Sequence, residues 1–401
     1  MEIAPFELHV PDATLEDLHE RLRRGRRRLP LDVANEDWSY GTNRAYLEQF
    51  VDWYLDGYDW RAEEARINAV PQFRAELAPG VPIHFLHVPG KGPDPLPLLV
   101  TPSNPLSQWD MHKTLGPLTD PAAHGGDPAD AFTLIVPSLP GHHFSTPLTR
   151  SGIGFAATAD LWVTLMDMLG YERFGASGGG FGGAITAQLG HKHPERLIGC
   201  QIWFMAQLSY YQSVNLDAPP GIEYEHNLPA RSAYGPDEEG WYDRNLAFAQ
   251  GEGGLQALIS KPQTIAYGMH DSPVGLLAWL LEKRRNWSDC SGDVEAAFTR
   301  TELATAFTLE WVSESFVTSA RYYRESLLNP WRPSHRRMPV VEAPTGVTNF
   351  VNGVFRMPRA WAERYYDLRR YTVCEQGGYF VPMEQPGVLV HELRELFRPL
   401  R

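Results

Sequence analysis

Gly175-Ala176-Ser177-Gly178-Gly179-Gly180-Phe181-Gly182-Gly183 is the stretch on which the reading of this chain turns. A short apolar strand pattern, Arg173 to Ala176, leads into it, and the helix-like run Ala184-Ile185-Thr186-Ala187-Gln188-Leu189 leads out. A glycine-dense turn between strand and helix can present a nucleophile on a sharp bend, because residues without a Cβ tolerate the strained backbone. The following helix aims its first backbone N–H groups at the reacting oxygen. In this chain the position at the tip, Gly180, is itself a glycine. The same stretch also satisfies Gly-x-Ser-x-Gly, which offers Ser177 as an attacker. An ordinary hydrogen-bonding side chain at the end of a strand is the plainer expectation for Ser177.

Working outward, Ile83–Val88, Pro97–Val100, Phe132–Pro137 and Leu197–Phe204 read as further strands, with an amphipathic helix at Phe155–Leu169. Apolar strands alternating with helices predict a parallel sheet covered on both faces. Strand signals vanish between about 211 and 335, where Gly275–Arg285 and Leu303–Glu325 read as helices. They return at Val340-Val341, Gly346–Phe350 and Tyr371–Cys374, before a closing helix at Val388–Phe397. The expected fold class is α/β, an α/β-hydrolase fold with an N-terminal arm domain and an inserted helical cap. The expected divisions are an arm over 1–82, the first part of the core over 83–210, the cap over 211–335 and the rest of the core over 336–401. Within the arm, the arginine-rich run Arg23 to Arg28 is expected to be a solvated helix end held by nearby acids.

The chain has 401 residues, 43% of them hydrophobic and 12% aromatic, enough for a large core and an aromatic-lined pocket. A net charge of -13 argues against nucleic acid or an anionic membrane as partner. Cys200, Cys290 and Cys374 are far apart and follow no metal or disulfide spacing, so they read as core residues of a reduced, cytoplasmic protein. No membrane span, metal or cofactor is expected.

Several segments, in one order along nearly the whole chain, resemble the microsomal-type epoxide hydrolases. They are Asp37-Trp38-Ser39-Tyr40-Gly41, Asp59-Trp60-Arg61, Pro137-Ser138-Leu139-Pro140-Gly141, Leu169-Gly170-Tyr171-Glu172-Arg173, Asp271-Ser272-Pro273-Val274-Gly275, Ser319-Ala320-Arg321-Tyr322-Tyr323 and Glu384-Gln385-Pro386. That resemblance implies an aspartate nucleophile, an acid–histidine pair that activates water, two lid tyrosines and an oxyanion hole beside a His-Gly-Trp-Pro segment. Carried over one at a time, the aspartate falls at Gly180, the histidine at Tyr379, the acid at Gly353 and one lid tyrosine at Gly254. His-Gly-Trp-Pro is Pro102-Ser103-Asn104-Pro105, and the second lid tyrosine is kept as Tyr323.

Glycine supplies neither a carboxylate to form an ester nor a base to activate water, and tyrosine is a poor base at neutral pH. Losing all three members removes a mechanism worth on the order of 8 kcal/mol of barrier or more. A serine route through Ser177 needs a histidine, and only His142 and His143 are expected near it. What is left is a site of neutral donors: Tyr323, Tyr379 and the N–H of Phe181 as the catalytic candidates. Gly180 is read as opening volume, Trp109, Phe181, Trp203 and Phe204 as lining an apolar wall, and Ser177 as a further substrate-binding candidate. Asp110 and His112 are read as surface residues. The expected partner is a large apolar or aromatic small molecule, and a homodimer is allowed. The expected activity is non-hydrolytic ring closure or carbon–carbon bond formation in polyketide or enediyne biosynthesis; a silent binding protein and a serine or epoxide hydrolase are the alternatives.

Overall fold

The computed structural model describes residues 2–30, 37–204, 224–225, 228–251 and 253–401. Part of the expected cap, 211–223, 226–227 and 252, therefore lies outside the described residues. Nine strands form one sheet: β1 (Ile3–Pro5), β2 (Gln72–Ala78), β3 (Val81–Val88), β4 (Leu96–Thr101), β5 (Phe132–Pro137), β6 (Phe174–Gly179), β7 (Leu197–Trp203), β8 (Val341–Phe350) and β9 (Tyr366–Cys374). Their order is β1-β2-β3-β5-β4-β6-β7-β8-β9. The first three junctions are antiparallel, and every junction from β5 to β9 is parallel. This is the α/β-hydrolase architecture. Strands β5 and β6 are buried along their whole length, as a parallel sheet with helices on both faces requires.

The sheet is larger than the sequence pattern suggested. Gln72–Ala78, read as part of the arm, is a full strand paired with β3, and Ile3–Pro5 adds an edge to it. The arm is therefore built into the sheet as well as packed on it. Its helix Asp12–Arg27 ends in the arginine run, and two of those cations meet acids, Arg24 with Glu20 and Arg26 with Asp52, as Arg21 one turn earlier does with Asp17. The helical pattern over Leu303–Glu325 is two helices, Arg300–Val312 and Phe316–Leu328, broken where Glu314 takes φ +52°. Helices from Trp241 to Leu328 occupy the chain between β7 and β8.

The three cysteines are free thiols; Cys200 and Cys290 are buried, while Cys374 ends the edge strand β9 half-buried and so is no core residue. Among the described residues no helix is long and apolar enough to cross a membrane, and no cluster of His, Cys, Asp or Glu is arranged to hold a metal.

Candidate active site

The sharp turn is at Gly180, between the end of β6 and the helix Phe181–Lys192, with φ +54° and ψ −122°. Side chains at that φ are strained, which is why a glycine there is tolerated at no steric cost. Close approach explains a neighbouring glycine: a Cβ on Gly178 would run into the backbone of Gly182. The sharp turn therefore lies at Gly180, three residues beyond Ser177. Ser177 lies inside β6 opposite Val100 and Gln201, fully buried, and its hydroxyl has no hydrogen-bond partner. The expected hydrogen-bonding role is thus absent. The two histidines expected near it are engaged elsewhere. His142 donates through Nδ1 to the Pro140 carbonyl at 3.0 Å and packs its ring on Tyr322; His143 faces Glu310 at 3.3 Å.

The missing side chain at Gly180 does not leave a hole. A Cβ built there would collide with the Tyr379 hydroxyl and with Ser103 Oγ, with Ser103 Cβ 3.1 Å away. Ser103 and Tyr379 are hydrogen-bonded to each other across the turn. Ser103 Oγ accepts from the Phe181 N–H at 2.9 Å, so the first amide of the helix is directed at a serine of the chain itself. The Tyr379 hydroxyl also donates to the Asn104 carbonyl at 3.1 Å, and the Tyr323 hydroxyl donates to Asn104 Oδ1 at 3.0 Å. The expectation that Gly180 opens volume is corrected: two hydroxyls fill it. Burial pushes the Tyr379 phenol well above its ordinary range, against a smaller opposing effect of the Ser103 hydrogen bond, so it is a neutral hydroxyl at any physiological pH.

Gly353 is closely packed as well. A Cβ on Gly353 would stand 3.0 Å from Phe204 Cε1, and the Phe204 ring stacks on Tyr379 with centroids 4.9 Å apart. Trp287 packs edge-on against the other side of the same tyrosine at 5.1 Å. Phe204 (φ +72°) and Trp203 are both buried, and the Trp203 indole covers Gly179. These two residues therefore pack the inner wall of the turn. Trp109 is elsewhere. It belongs to a second core with Leu8, Val10, Trp60, Ile67 and Leu309, stacks on His112 at 5.2 Å, and borders a cleft of about 400 Å³ between arm, core and cap. Asp110, read as a surface residue, is 5% exposed and pairs with Arg284 at 2.6 Å. At the lid position, Gly254 faces Trp279 at 3.0 Å.

The loop carrying Tyr379 is held from three sides. The Tyr379 N–H donates to the Trp287 carbonyl at 2.7 Å. The Glu384 carboxylate accepts from the N–H groups of Gly378 (2.9 Å), Phe380 (2.8 Å) and Asp289 (2.7 Å). Asp289 in turn accepts from the Gly377 N–H and from Asn352, each at 2.9 Å. Burial raises the Glu384 carboxyl, and the three amides only partly offset it. Ser103, Asn104 and Glu384 were not singled out as site residues from the sequence. A usable signal existed for Ser103, which stands where the family's segment has a glycine, so any side chain there must point at something new.

Comparison with known proteins agrees with this architecture. The model described as epoxide hydrolase N terminus matches residues 3–111, and the alpha/beta hydrolase fold model matches residues 103–200. A putative epoxide hydrolase of Stigmatella aurantiaca is 37% identical over all of this chain and 86% of its own length. Epoxide hydrolase 1 of Oryctolagus cuniculus is 29% identical over 98% of this chain and 88% of its own. Among solved structures, the juvenile hormone epoxide hydrolase of Bombyx mori superposes with a TM-score of 0.79 at 25% identity, over 100% of this chain and 94% of that one. The Aspergillus niger epoxide hydrolase has the same fold, with a TM-score of 0.80 at 24% identity over 100% and 97%. The chain belongs to the microsomal-type epoxide hydrolase family.

Proposed function

We propose that this chain is a non-hydrolytic member of its family, which holds an apolar small molecule beneath the lid and promotes ring closure or carbon–carbon bond formation without an ester to the protein. The observation that carries this reading is the filling of the nucleophile's volume by the Tyr379 and Ser103 hydroxyls. A carboxylate cannot attack from Gly180, and a neutral tyrosine in the histidine position cannot activate water. Tyr323, on the lid helix Phe316–Leu328, serves as the proton donor to an alkoxide or enolate, and Tyr379 with the Phe181 amide and Ser103 forms a fixed array of dipoles beside it. In ring closure by an internal hydroxyl, the proton lost by the attacking oxygen balances the one gained by the opened epoxide oxygen, so no water enters. Placement in polyketide or enediyne metabolism rests on the family resemblance alone.

The test uses an epoxide that carries an internal hydroxyl, incubated in ¹⁸O-water. The expected product is the unlabelled cyclic ether, formed more slowly by Tyr323→Phe and by the Tyr323→Phe/Tyr379→Phe double variant. A labelled diol from the wild-type protein would overturn the proposal in favour of hydrolysis. One observation favours a second reading. The Phe181 amide already has an oxygen ligand in Ser103, and a satisfied donor suits a protein that binds and shields a reactive metabolite. Saturable binding without turnover across such substrates would select it. Labelling of Ser177 by a fluorophosphonate probe would instead revive a serine hydrolase, against the burial of that residue in β6.

A further inference from the structure

Three residues beyond the position of the missing acid, the chain carries a cation that the proposed chemistry does not use. Arg356 follows β8 in the loop before the helix Arg359–Tyr365, at the same end of the parallel sheet as Gly180. It is only 3% exposed. Its backbone is clamped by Asn245 of the helix Trp241–Gly251, which receives the Arg356 N–H at 3.1 Å and donates to its carbonyl at 3.0 Å. Its guanidinium lies 5.9 Å from the centre of the Trp241 ring. The adjacent Phe355 ring packs on Phe248, Phe248 on Trp287, and Trp287 on Tyr379, so an aromatic chain links this loop to the tyrosine site.

The guanidinium itself is poorly matched. Nε donates to the Phe350 carbonyl at 3.2 Å, while Nη1 is buried with no partner, and no carboxylate among the described residues pairs with the group. The charge it feels most is a like one, Arg244; burial and that neighbour together pull it down to about 10. The two other strongly buried cations are treated differently: Arg284 has Asp110 at 2.6 Å and Lys283 has Glu282 at 2.9 Å. A buried, unpaired guanidinium is costly, and its planar fork is suited to a carboxylate. Such a group persists where something binds it.

We infer that Arg356 is the anchor for a carboxylate on the small molecule held beneath the lid, so that the substrate class is an apolar acid. This deepens the function proposed above and rests on it only for the chemistry that follows binding. Gly180 and Gly353 bring no carboxylate of their own and Arg356 follows Gly353 by three residues, which leaves the counter-charge to the ligand.

The test measures binding of 2-naphthoate and of its neutral methyl ester to the full chain, without turnover. The wild type is expected to bind the acid at least tenfold more tightly than the ester, and Arg356→Met to bind both alike with ester affinity unchanged. An equal affinity in the wild type, or a preference that survives in Arg356→Met, overturns the inference. Thermal melting guards against misfolding, since replacing an unpaired buried charge by Met is expected to leave the midpoint unchanged or raised. Should Arg356→Met melt lower, the residue is structural and the inference fails. Arg356→Lys, with charge but no fork, is expected to keep part of the preference; complete loss there together with a normal melt still supports bidentate anchoring. Inorganic phosphate at equal concentration is expected to give no Arg356-dependent shift in melting. An equal shift would mean a free ion is held, which overturns the substrate assignment. Because no chemistry is read, a failure here leaves the Tyr323 assay standing, and a failed Tyr323 assay leaves this result standing.

Discussion

The two ends of the short segment 103–112 use polar groups in opposite ways. At one end, Ser103 and Asn104 sit against the turn and offer neutral oxygens to Phe181, Tyr379 and Tyr323. At the other, Asp110 is buried under the cap and paired with Arg284, while Ser107 donates to the same carboxylate through its N–H (2.6 Å) and its hydroxyl (2.9 Å). Arg284 also lies 4.3 Å from the Phe380 ring, next to Tyr379. The turn thus carries neutral hydroxyls and amides, while a buried ion pair joins the core to the lid. The contrast is between a site built of neutral donors and a scaffold tied by charge.

The sharpest way to break this comparison is at its charged end. Asp110→Ala leaves Arg284 buried without its partner and is expected to cost about 3–5 kcal/mol, read from urea unfolding. Asp110→Leu/Arg284→Met should recover most of that; a single-variant loss below about 1 kcal/mol would show that the pair is not a structural tie. Next in size is pH. Burial, as the leading cause, pulls the imidazoles of His84 and His142 down to about 3 from an ordinary 6.5. The unfolded chain therefore takes up these protons first, so stability is complete above about pH 6.5 and falls as pH drops towards 3. Glu384, raised in the fold, opposes this in its own range. Between pH 7.5 and 5.0 a loss on the order of 2–4 kcal/mol is expected; a flat profile would mean the imidazoles charge within the fold.

The neutral end answers to smaller changes. Gly180→Ala combines a positive φ with a collision at the Tyr379 hydroxyl, and about 1–3 kcal/mol of destabilisation is expected. In a Tyr379→Phe background the steric part should shrink, so a double-mutant cycle with no coupling would refute the packing described here. Smallest is Ser103→Ala, which removes the oxygen that the Phe181 amide donates to. About 1 kcal/mol is expected in thermal melting, and Ser103→Thr should retain it.

Much of the fold was legible because it is written in periodicity. The buried runs Phe132–Pro137 and Leu197–Trp203, and the glycine turn with its positive φ at Gly180, follow from local pattern and backbone sterics. Strand β2 was missed because Gln72–Ala78 alternates only loosely and its identity as a strand comes from pairing with β3 and β1. The site was legible only in part. Glycines at 180 and 353 and a tyrosine at 379 could be read from the residues, but glycine is silent about what occupies the space beside it.

The sequence by itself determined the α/β alternation and the glycine turn between strand and helix, since these depend on residue type and near neighbours. Tertiary structure alone decided that Ser103 and Tyr379, 276 positions apart, close the vacated volume. It also decided that Asp110 is an internal ion rather than a surface one, that Trp109 packs against the arm, and that Arg356 is buried without a counter-charge among the described residues. Burial and pairing are properties of what packs against a residue, and those neighbours come from distant parts of the chain.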